Sequence, residues 1–343
     1  MEILPPKATL AVDLMGGDHA PHMAVSGLLE AARLHPTVTF LAFGDAAQIE
    51  PLLEADPKRR DQIDLRHTPV KLPSAEKPRN ALKGEYQDSS LACAIRATGE
   101  GEAAAAVSAA DTGAIMALGM RYLGLFPGID RPAVASYMPT LKNEAVFLDL
   151  GANLNVGAKN LHQFGILGTA LSEAMLAMTH PRVGLLNIGT EDRKGQPYVR
   201  EADELMRAHS WPGSYVGFVE PDDLIRGEVD VLVCDGYAGN IMLKSIEASA
   251  TLIGGYTRAT FQESWISRLG YAFAGRQFAK LRRRTDPRRY NGAVMAGLQQ
   301  VCVKSHGGAD SVSFTNALEL AIDMANNGYR ERVPELLAAT NQS

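Results

Sequence analysis

One pattern recurs through this chain and constrains its fold more than any other. A short apolar run ends in small polar residues, and a stretch with helical spacing follows. Residues 9–12 form the first such run; it ends in Asp13, the Gly16-Gly17 pair follows, and a helix is expected from about 22 to 34. Residues 107–108 run into Asp111-Thr112-Gly113-Ala114, and 146–150 into Gly151-Ala152-Asn153. Residues 183–188 run into Gly189-Thr190-Glu191, and 229–234 into Asp235-Gly236-Tyr237-Ala238-Gly239-Asn240. Residues 301–304 run into Ser305-His306-Gly307-Gly308. None of these runs has a 3.6-residue period, so each reads as a strand buried on both faces. The loops carry residues that open helices. Strands alternating with helices predict a three-layer α/β/α fold around a mostly parallel sheet. In such folds ligands bind outside the carboxyl ends of the strands, so the six loops are expected to share one edge. Gly, Asn and Asp also make turns for structural reasons alone, so no single loop identifies a site.

The 343 residues allow one large domain or two ordinary ones. No Ser/Pro-rich linker and no fixed-period repeat divides them, so a single domain over 1–343 is expected. Apolar residues make up 46% of the chain, enough for a sizeable core. The net charge of −5 argues against nucleic acid as a partner. Cys93, Cys234 and Cys302 lie far apart, which excludes a disulfide scaffold and a cysteine zinc site and fits a reducing cytoplasm. The first residues do not read as a signal peptide, and no run of eighteen apolar residues is free of charge.

One segment departs from the rest. From 258 to 289 nine basic residues face only Glu263 and Asp286, giving +7, while the remaining 25 basic and 37 acidic residues give −12. Within it Phe261, Trp265, Leu269 and Phe273 recur every four residues, which on one helix makes a single apolar stripe. Such a helix either packs on the core with its basic face in water, or lies on an anionic membrane or acidic partner.

The common catalytic signatures GxxxxGK[ST], GxGxxG after the first strand, HExxH and GxSxG are missing from the sequence. The histidines show no paired metal-ligand spacing, and nothing asks for a metal or other cofactor. What the loops offer is anion binding. Helix N-termini present unpaired N–H groups, and glycine lets the backbone approach an oxyanion closely. Lys304, Ser305 and His306 add a cation, a hydroxyl and an imidazole to one such loop, and Lys194 follows another. Asp13, Asp149 and Asp235 stand near strand ends, where an aspartate most often hydrogen-bonds loop amides.

The segment Met15-Gly16-Gly17-Asp18-His19-Ala20-Pro21 resembles one family closely. It is similar to the opening of the bacterial acyl-carrier-protein:phosphate acyltransferases, the PlsX family. Further matches are Gly128-Ile129-Asp130-Arg131-Pro132, Leu148-Asp149-Leu150-Gly151-Ala152-Asn153, Asn187-Ile188-Gly189-Thr190-Glu191, Asp235-Gly236 with Gly239-Asn240, Asn291-Gly292, and Lys304-Ser305-His306-Gly307. The resemblance covers residues 8–330. It implies a fold like that of isocitrate/isopropylmalate dehydrogenases and phosphotransacetylases, a homodimer, and peripheral membrane contact through a protruding helical pair at about 247–289. It implies transfer of a long-chain acyl group from acyl-carrier-protein to orthophosphate. The acyl phosphate would then supply glycerol-3-phosphate acyltransferase in phospholipid synthesis.

On this reading Asp18, His19, Lys304 and His306 are the candidate catalytic residues. The candidate substrate-binding residues are Gly16, Gly17, Lys83, Thr112, Gly113, Asn153, Thr190, Lys194, Asp235 and Asn240. Phe261, Trp265, Leu269 and Phe273, with Arg282, Arg283 and Arg284, are the candidates for membrane or carrier-protein contact. Two positions depart from the family pattern. Asp111 stands where the family usually has Asn, and Lys83 alone remains where two consecutive arginines are common. An unpaired carboxylate beside a phosphate is unfavourable, and lysine lacks the bidentate fork of arginine. Two alternatives stay open: acyl transfer from acyl-coenzyme A, and an inactive scaffold that binds membrane or carrier protein.

Overall fold

The computed structural model describes residues 8–74, 76–208, 211, 213–284 and 286–341, with the side chains of 281–284, 287 and 341 outside the description. Its strands are β1 (Thr9–Asp13), β2 (Thr39–Gly44), β3 (Ile63–His67), β4 (Ala105–Ser108), β5 (Ala133–Pro139), β6 (Glu144–Leu148), β7 (Arg182–Leu186), β8 (Ser214–Val219), β9 (Val231–Val233), β10 (Ala293–Ala296) and β11 (Val301–Lys304). They form one eleven-stranded sheet in the order β3-β2-β1-β4-β11-β10-β5-β6-β9-β7-β8. The helices are α1 (His22–Leu34), α2 (Ala46–Leu53), α3 (Ser90–Gly99), α4 (Thr112–Tyr122), α5 (Ala158–Leu176), α6 (Pro197–Ala208), α7 (Pro221–Arg226), α8 (Gly236–Gln262), α9 (Trp265–Phe273), α10 (Gly275–Arg284), α11 (Ser311–Asn326) and α12 (Tyr329–Asn341).

Alternation along the strands builds three layers. Leu10 and Val12 of β1, Val107 of β4 and Val301 and Val303 of β11 pack with α1, α5 and α11 in the main core. Ala11 of β1 faces the other way, toward Ala94 and Ala97 of α3. Ala106 and Cys302 likewise meet Ile115 and Leu118 of α4. In the second half of the sheet Val146 and Leu148 join the main core, while Phe147 packs with Leu224 of α7 and Met242 of α8. Apolar side chains on both faces are why these runs carry no alternation in the sequence.

The six polar loops do not share one edge. β3, β2, β1, β4 and β11 run parallel to one another. β10 then pairs antiparallel with both β11 and β5, and β5 pairs antiparallel with β6. β6, β9, β7 and β8 continue parallel to one another but opposite to the first block. The tight turn at 140–143, closed by Thr140 N–H donating to Asn143 O at 2.7 Å, is what reverses the chain. The loops after β1, β4 and β11 therefore leave one edge of the sheet, and those after β6, β7 and β9 leave the other.

α8 is about 40 Å long at 1.5 Å per residue, and only Gly236, Gly239 and Met242 in its first two turns are buried. Its outer part, with α9 and α10, forms a projection that includes the basic segment. The expected single stripe is divided. Ser264 caps α9, its Oγ accepting from Ser267 N–H at 3.0 Å, so the chain bends between Gln262 and Trp265. Phe261 turns inward and meets the rings of Tyr271 and Phe278 at 5.4 and 4.9 Å. The bend gives Phe261 apolar partners that a straight helix would leave in water. Trp265, Leu269 and Phe273 stay on one face of α9, with Trp265 70% and Phe273 88% exposed. Arg282, Arg283 and Arg284 lie in α10, and their side chains are outside the described residues. No described helix is long and apolar enough to cross a membrane.

Candidate active site

The first edge is organised by a buried carboxylate. Asp13, 1% exposed, ends β1. Its Oδ1 accepts from Met15 N–H at 3.0 Å, Gly16 N–H at 3.2 Å and Ser90 Oγ at 2.6 Å. Its Oδ2 accepts from Ser108 Oγ at 2.6 Å. Four donors replace the water that a buried carboxylate loses. They also fasten the loops after β1 and β4 to the start of α3. Gly16 has no room for a side chain, since a Cβ would lie 2.5 Å from Asp13 Oδ2 and 2.8 Å from Ser108 Oγ. Gly17 has φ +95°, a left-handed conformation, and lies against Gly307 O and Ala109 Cβ.

The β1 and β11 loops are joined directly. Asp18 N–H donates to Gly307 O at 2.9 Å, and Ser305 N–H donates to Ser108 O at 2.8 Å. Lys304 is partly buried at the end of β11, its Nζ donating to Ser305 O at 2.9 Å. Burial pulls its pKa below the ordinary lysine value, and the charge of Asp111 opposes that fall. His306 is exposed, and its Nδ1 accepts from Gly308 N–H at 3.1 Å, which leaves the proton of the neutral ring on Nε2. Asp18 and His19 are exposed at the start of α1. Thr112 and Gly113 open α4 at the same edge, where Pro78 packs so closely on Gly113 that a Cβ would lie 2.5 Å from its Cγ. Lys83 follows that packed turn and lines a surface cleft of about 360 Å³ with Asn80, Gly84, Glu85 and Tyr86.

Asp111 has a structural role that removes the objection to its charge. It caps α4, its Oδ1 accepting from Gly113 N–H at 2.9 Å and Ala114 N–H at 3.2 Å. Many other amides at this edge are also bonded within the protein. Among the described residues, no acceptor is found for the N–H groups of Gly17, Thr112 and Gly307. With the Lys304 ammonium and the Thr112 hydroxyl, these are among the donors an oxyanion can use.

The second edge carries the other candidates. Asp149 accepts from the N–H groups of Val134, Gly151, Ala152 and Asn153 at 2.7–3.1 Å and from Asn153 Nδ2 at 2.9 Å. Burial raises its pKa in spite of them. Asn153 also donates to Pro132 O at 2.7 Å, so its amide braces this loop. Asp235 caps α8 through the N–H groups of Tyr237 and Ala238, both at 2.9 Å. It also accepts from Tyr198 OH at 2.9 Å, and burial with that bond pushes the phenol up to about 12. Asn240 stands beside Gly151, where a Cβ would meet it at 3.5 Å. Thr190 is exposed, and Lys194 is paired with Glu191 at 2.8 Å on the surface. Gly16, Gly17, Asp18, His19, Lys83, Thr112, Gly113, Lys304 and His306 thus share one edge, while Asn153, Thr190, Lys194, Asp235 and Asn240 lie on the opposite one. Ser90 and Ser108 were not among the candidates, and Asn291 stood only as part of the Asn291-Gly292 match without a role, because a lone Ser or Asn gives no sign of a partner tens of residues away.

Asparagine caps a helix as well as aspartate. Asp111→Asn therefore keeps α4 but removes the charge that favours the Lys304 ammonium, so the pKa of Lys304 falls further. The ammonium exists only below its pKa, so loss of inorganic phosphate binding on the alkaline side begins at lower pH in the variant. Phosphate titrations across pH check this, and an unmoved alkaline limb would separate Asp111 from Lys304.

Residues 8–332 match the family described as "Fatty acid synthesis protein". A phosphate acyltransferase of Rhodospirillum centenum is 47% identical over 96% of this chain and 92% of its own length. One from Rhodospirillum rubrum is 45% identical over 96% of this chain and 94% of its own. Among solved structures, a phosphotransacetylase from Streptococcus pyogenes superposes with TM-score 0.62 at 15% identity, over 94% of this chain and 95% of its own. The EutD phosphotransacetylase from Staphylococcus aureus gives 0.59 at 17% identity, over 93% of each chain. These structures share the fold, and the full-length sequence relatives carry the chemistry: the chain belongs to the fatty acid synthesis protein family, among the phosphate acyltransferases, and is an acyltransferase.

Proposed function

We propose that the protein transfers a long-chain acyl group from the thioester of acyl-carrier-protein to orthophosphate, releasing acyl phosphate and the carrier thiol. The observation that supports this reading is the first edge, where the loops bearing Lys304, Thr112 and the Gly16-Gly17 pair leave the sheet together and the loops after β1 and β11 are bonded to each other. Phosphate dianion is itself a nucleophile, so the protein has to hold it rather than make one. The cysteines fit that division of labour. Burial raises the thiol pKa of all three, with Cys302 pushed up to about 12, so none is a ready thiolate.

A phosphate oxygen attacks the thioester carbonyl, the C–S bond breaks, and the electron pair leaves on sulfur. Holding phosphate beside the thioester removes much of the entropic barrier. Amide donors stabilise the oxyanion that develops on the carbonyl oxygen. His306, with its proton on Nε2, supplies a proton to the departing thiolate, and His19 stands at the same edge. Asp18 orients the β11 loop through its bonded backbone. Lys83 adds a cation at the cleft beside α4.

On this reading the product feeds glycerol-3-phosphate acyltransferase in phospholipid synthesis, and the protein works as a homodimer in contact with the inner face of the membrane. The projection supports the last part, with Trp265, Leu269 and Phe273 exposed on α9 beside basic residues. Trp265→Asp is expected to abolish flotation with anionic liposomes and to leave turnover of soluble substrate unchanged. Retained flotation would remove α9 from the contact.

The test of the activity is direct. Purified protein is mixed with orthophosphate and a long-chain acyl-carrier-protein, with acyl-coenzyme A in a parallel reaction, and acyl phosphate is trapped with hydroxylamine. Phosphate-dependent hydroxamate from the carrier-protein reaction is the expected result. Product from the coenzyme A reaction alone would change the donor, and none from either would overturn the reading.

A further inference from the structure

Asn291 joins the returning end of the projection to the loop that bears Lys304 and His306. It follows the short turn Pro287–Tyr290 and precedes β10. Its Nδ2 donates to Ser305 Oγ and to Ser313 O, both at 2.8 Å, and its Oδ1 accepts from His306 N–H at 3.0 Å. Ser305 is fully buried and Asn291 half-buried, so the hydroxyl end of this bond is shielded from water. The same root is fastened a second time. Arg288 Nη1 reaches Asp310 Oδ2 at 3.2 Å, and Asp310 caps α11 through Ser313 N–H at 2.8 Å. Asn316 Nδ2 donates to Arg288 O at 2.7 Å. One amide therefore holds both the backbone of His306 and the side chain beside Lys304.

We infer that Asn291 is a positioning residue for phosphate: it sets the path of the 304–308 loop through Ser305 and His306 without touching the substrate itself. This rests on the proposed phosphate site. A group with this role changes phosphate affinity more than it changes the acyl donor or the fold. Alanine at 291 frees the Ser305 hydroxyl and the His306 amide. Aspartate keeps the acceptor for His306 N–H but turns an oxygen toward Ser313 O, where a donor is required.

Asn291→Ala and Asn291→Asp are compared with the unaltered enzyme in initial-rate assays and in direct titration with inorganic phosphate. Both variants are expected to raise the phosphate KM and the phosphate dissociation constant about tenfold, the loss of neutral hydrogen bonds of this kind, with the KM for acyl donor unchanged. Ser305→Ala, which keeps Asn291, is expected to shift phosphate affinity in the same direction by less, and serves if the Asn291 variants fail to fold. A lower melting temperature with unchanged phosphate KM and binding would make Asn291 a purely structural residue and overturn the inference. Unaltered enzyme that neither binds phosphate nor makes acyl phosphate would instead overturn the functional reading and, with it, this one.

Discussion

Replacing Lys304 by alanine raises the phosphate concentration for half-maximal turnover about a hundredfold and leaves the fold standing. A hydrogen bond between charged partners contributes about 1.5–3 kcal/mol, and each 1.4 kcal/mol is a factor of ten. The ammonium is partly buried at the end of β11, its pKa lowered by that burial, so the folded protein gains little from the charge in the absence of an anion. The melting temperature of Lys304→Ala therefore stays near that of the parent while the phosphate KM moves. Initial rates against phosphate concentration, read by hydroxamate, measure the effect. Phosphate kinetics unchanged in the variant would take Lys304 out of the site.

Gly16→Ala acts on the scaffold beneath the same loops. The new methyl would stand 2.5 Å from Asp13 Oδ2, 2.8 Å from Ser108 Oγ and 2.9 Å from Ala110 N, all held by hydrogen bonds. Relief requires moving the β1 loop or breaking the Asp13 network. Overpacking of this kind destabilises by about 1–3 kcal/mol. A shift of about 1 Å in a reacting group is enough for a hundredfold loss of rate. Turnover is thus expected to fall about a hundredfold, with a measurable drop in urea midpoint. Gly157→Ala is the control for the clash: a Cβ there meets nothing within 4 Å and its φ of −100° suits any residue, so its only expected cost is that of alanine for glycine at the N-cap of α5, about 1 kcal/mol, with turnover unchanged. Equal behaviour of the two variants would show that the packing around Asp13 does not control the site.

Particular elements show how far the sequence could be read. The first strand and the helix after it stand where spacing placed them, as Thr9–Asp13 and His22–Leu34. An unbroken apolar run marks the strand and helical spacing marks the helix, and both signals are local to a few residues. The division of Phe261 from Trp265 was not legible. A four-residue spacing continues smoothly across a helix break, and the capping serine at 264 reads as any polar residue until its partner is seen. Asp111 was legible only as an anomaly. Its acceptance of two amides at the start of α4 depends on a turn that no charge count reveals.

Alternating apolar runs and polar loops determined by themselves a layered α/β fold with polar loops at the strand ends. Burial on both faces leaves its mark residue by residue, and Gly, Asp and Asn mark the loops. Strand direction leaves no such mark. The antiparallel pairings of β10 with β11 and β5, and of β5 with β6, decided which loops meet, and so separated Lys304, Thr112 and the Gly16-Gly17 pair from Asp235 and Asn240. The site's support was equally a matter of tertiary structure. Asp13 is held by serines 77 and 95 residues away, contacts that exist only once the sheet has assembled and excluded water from them.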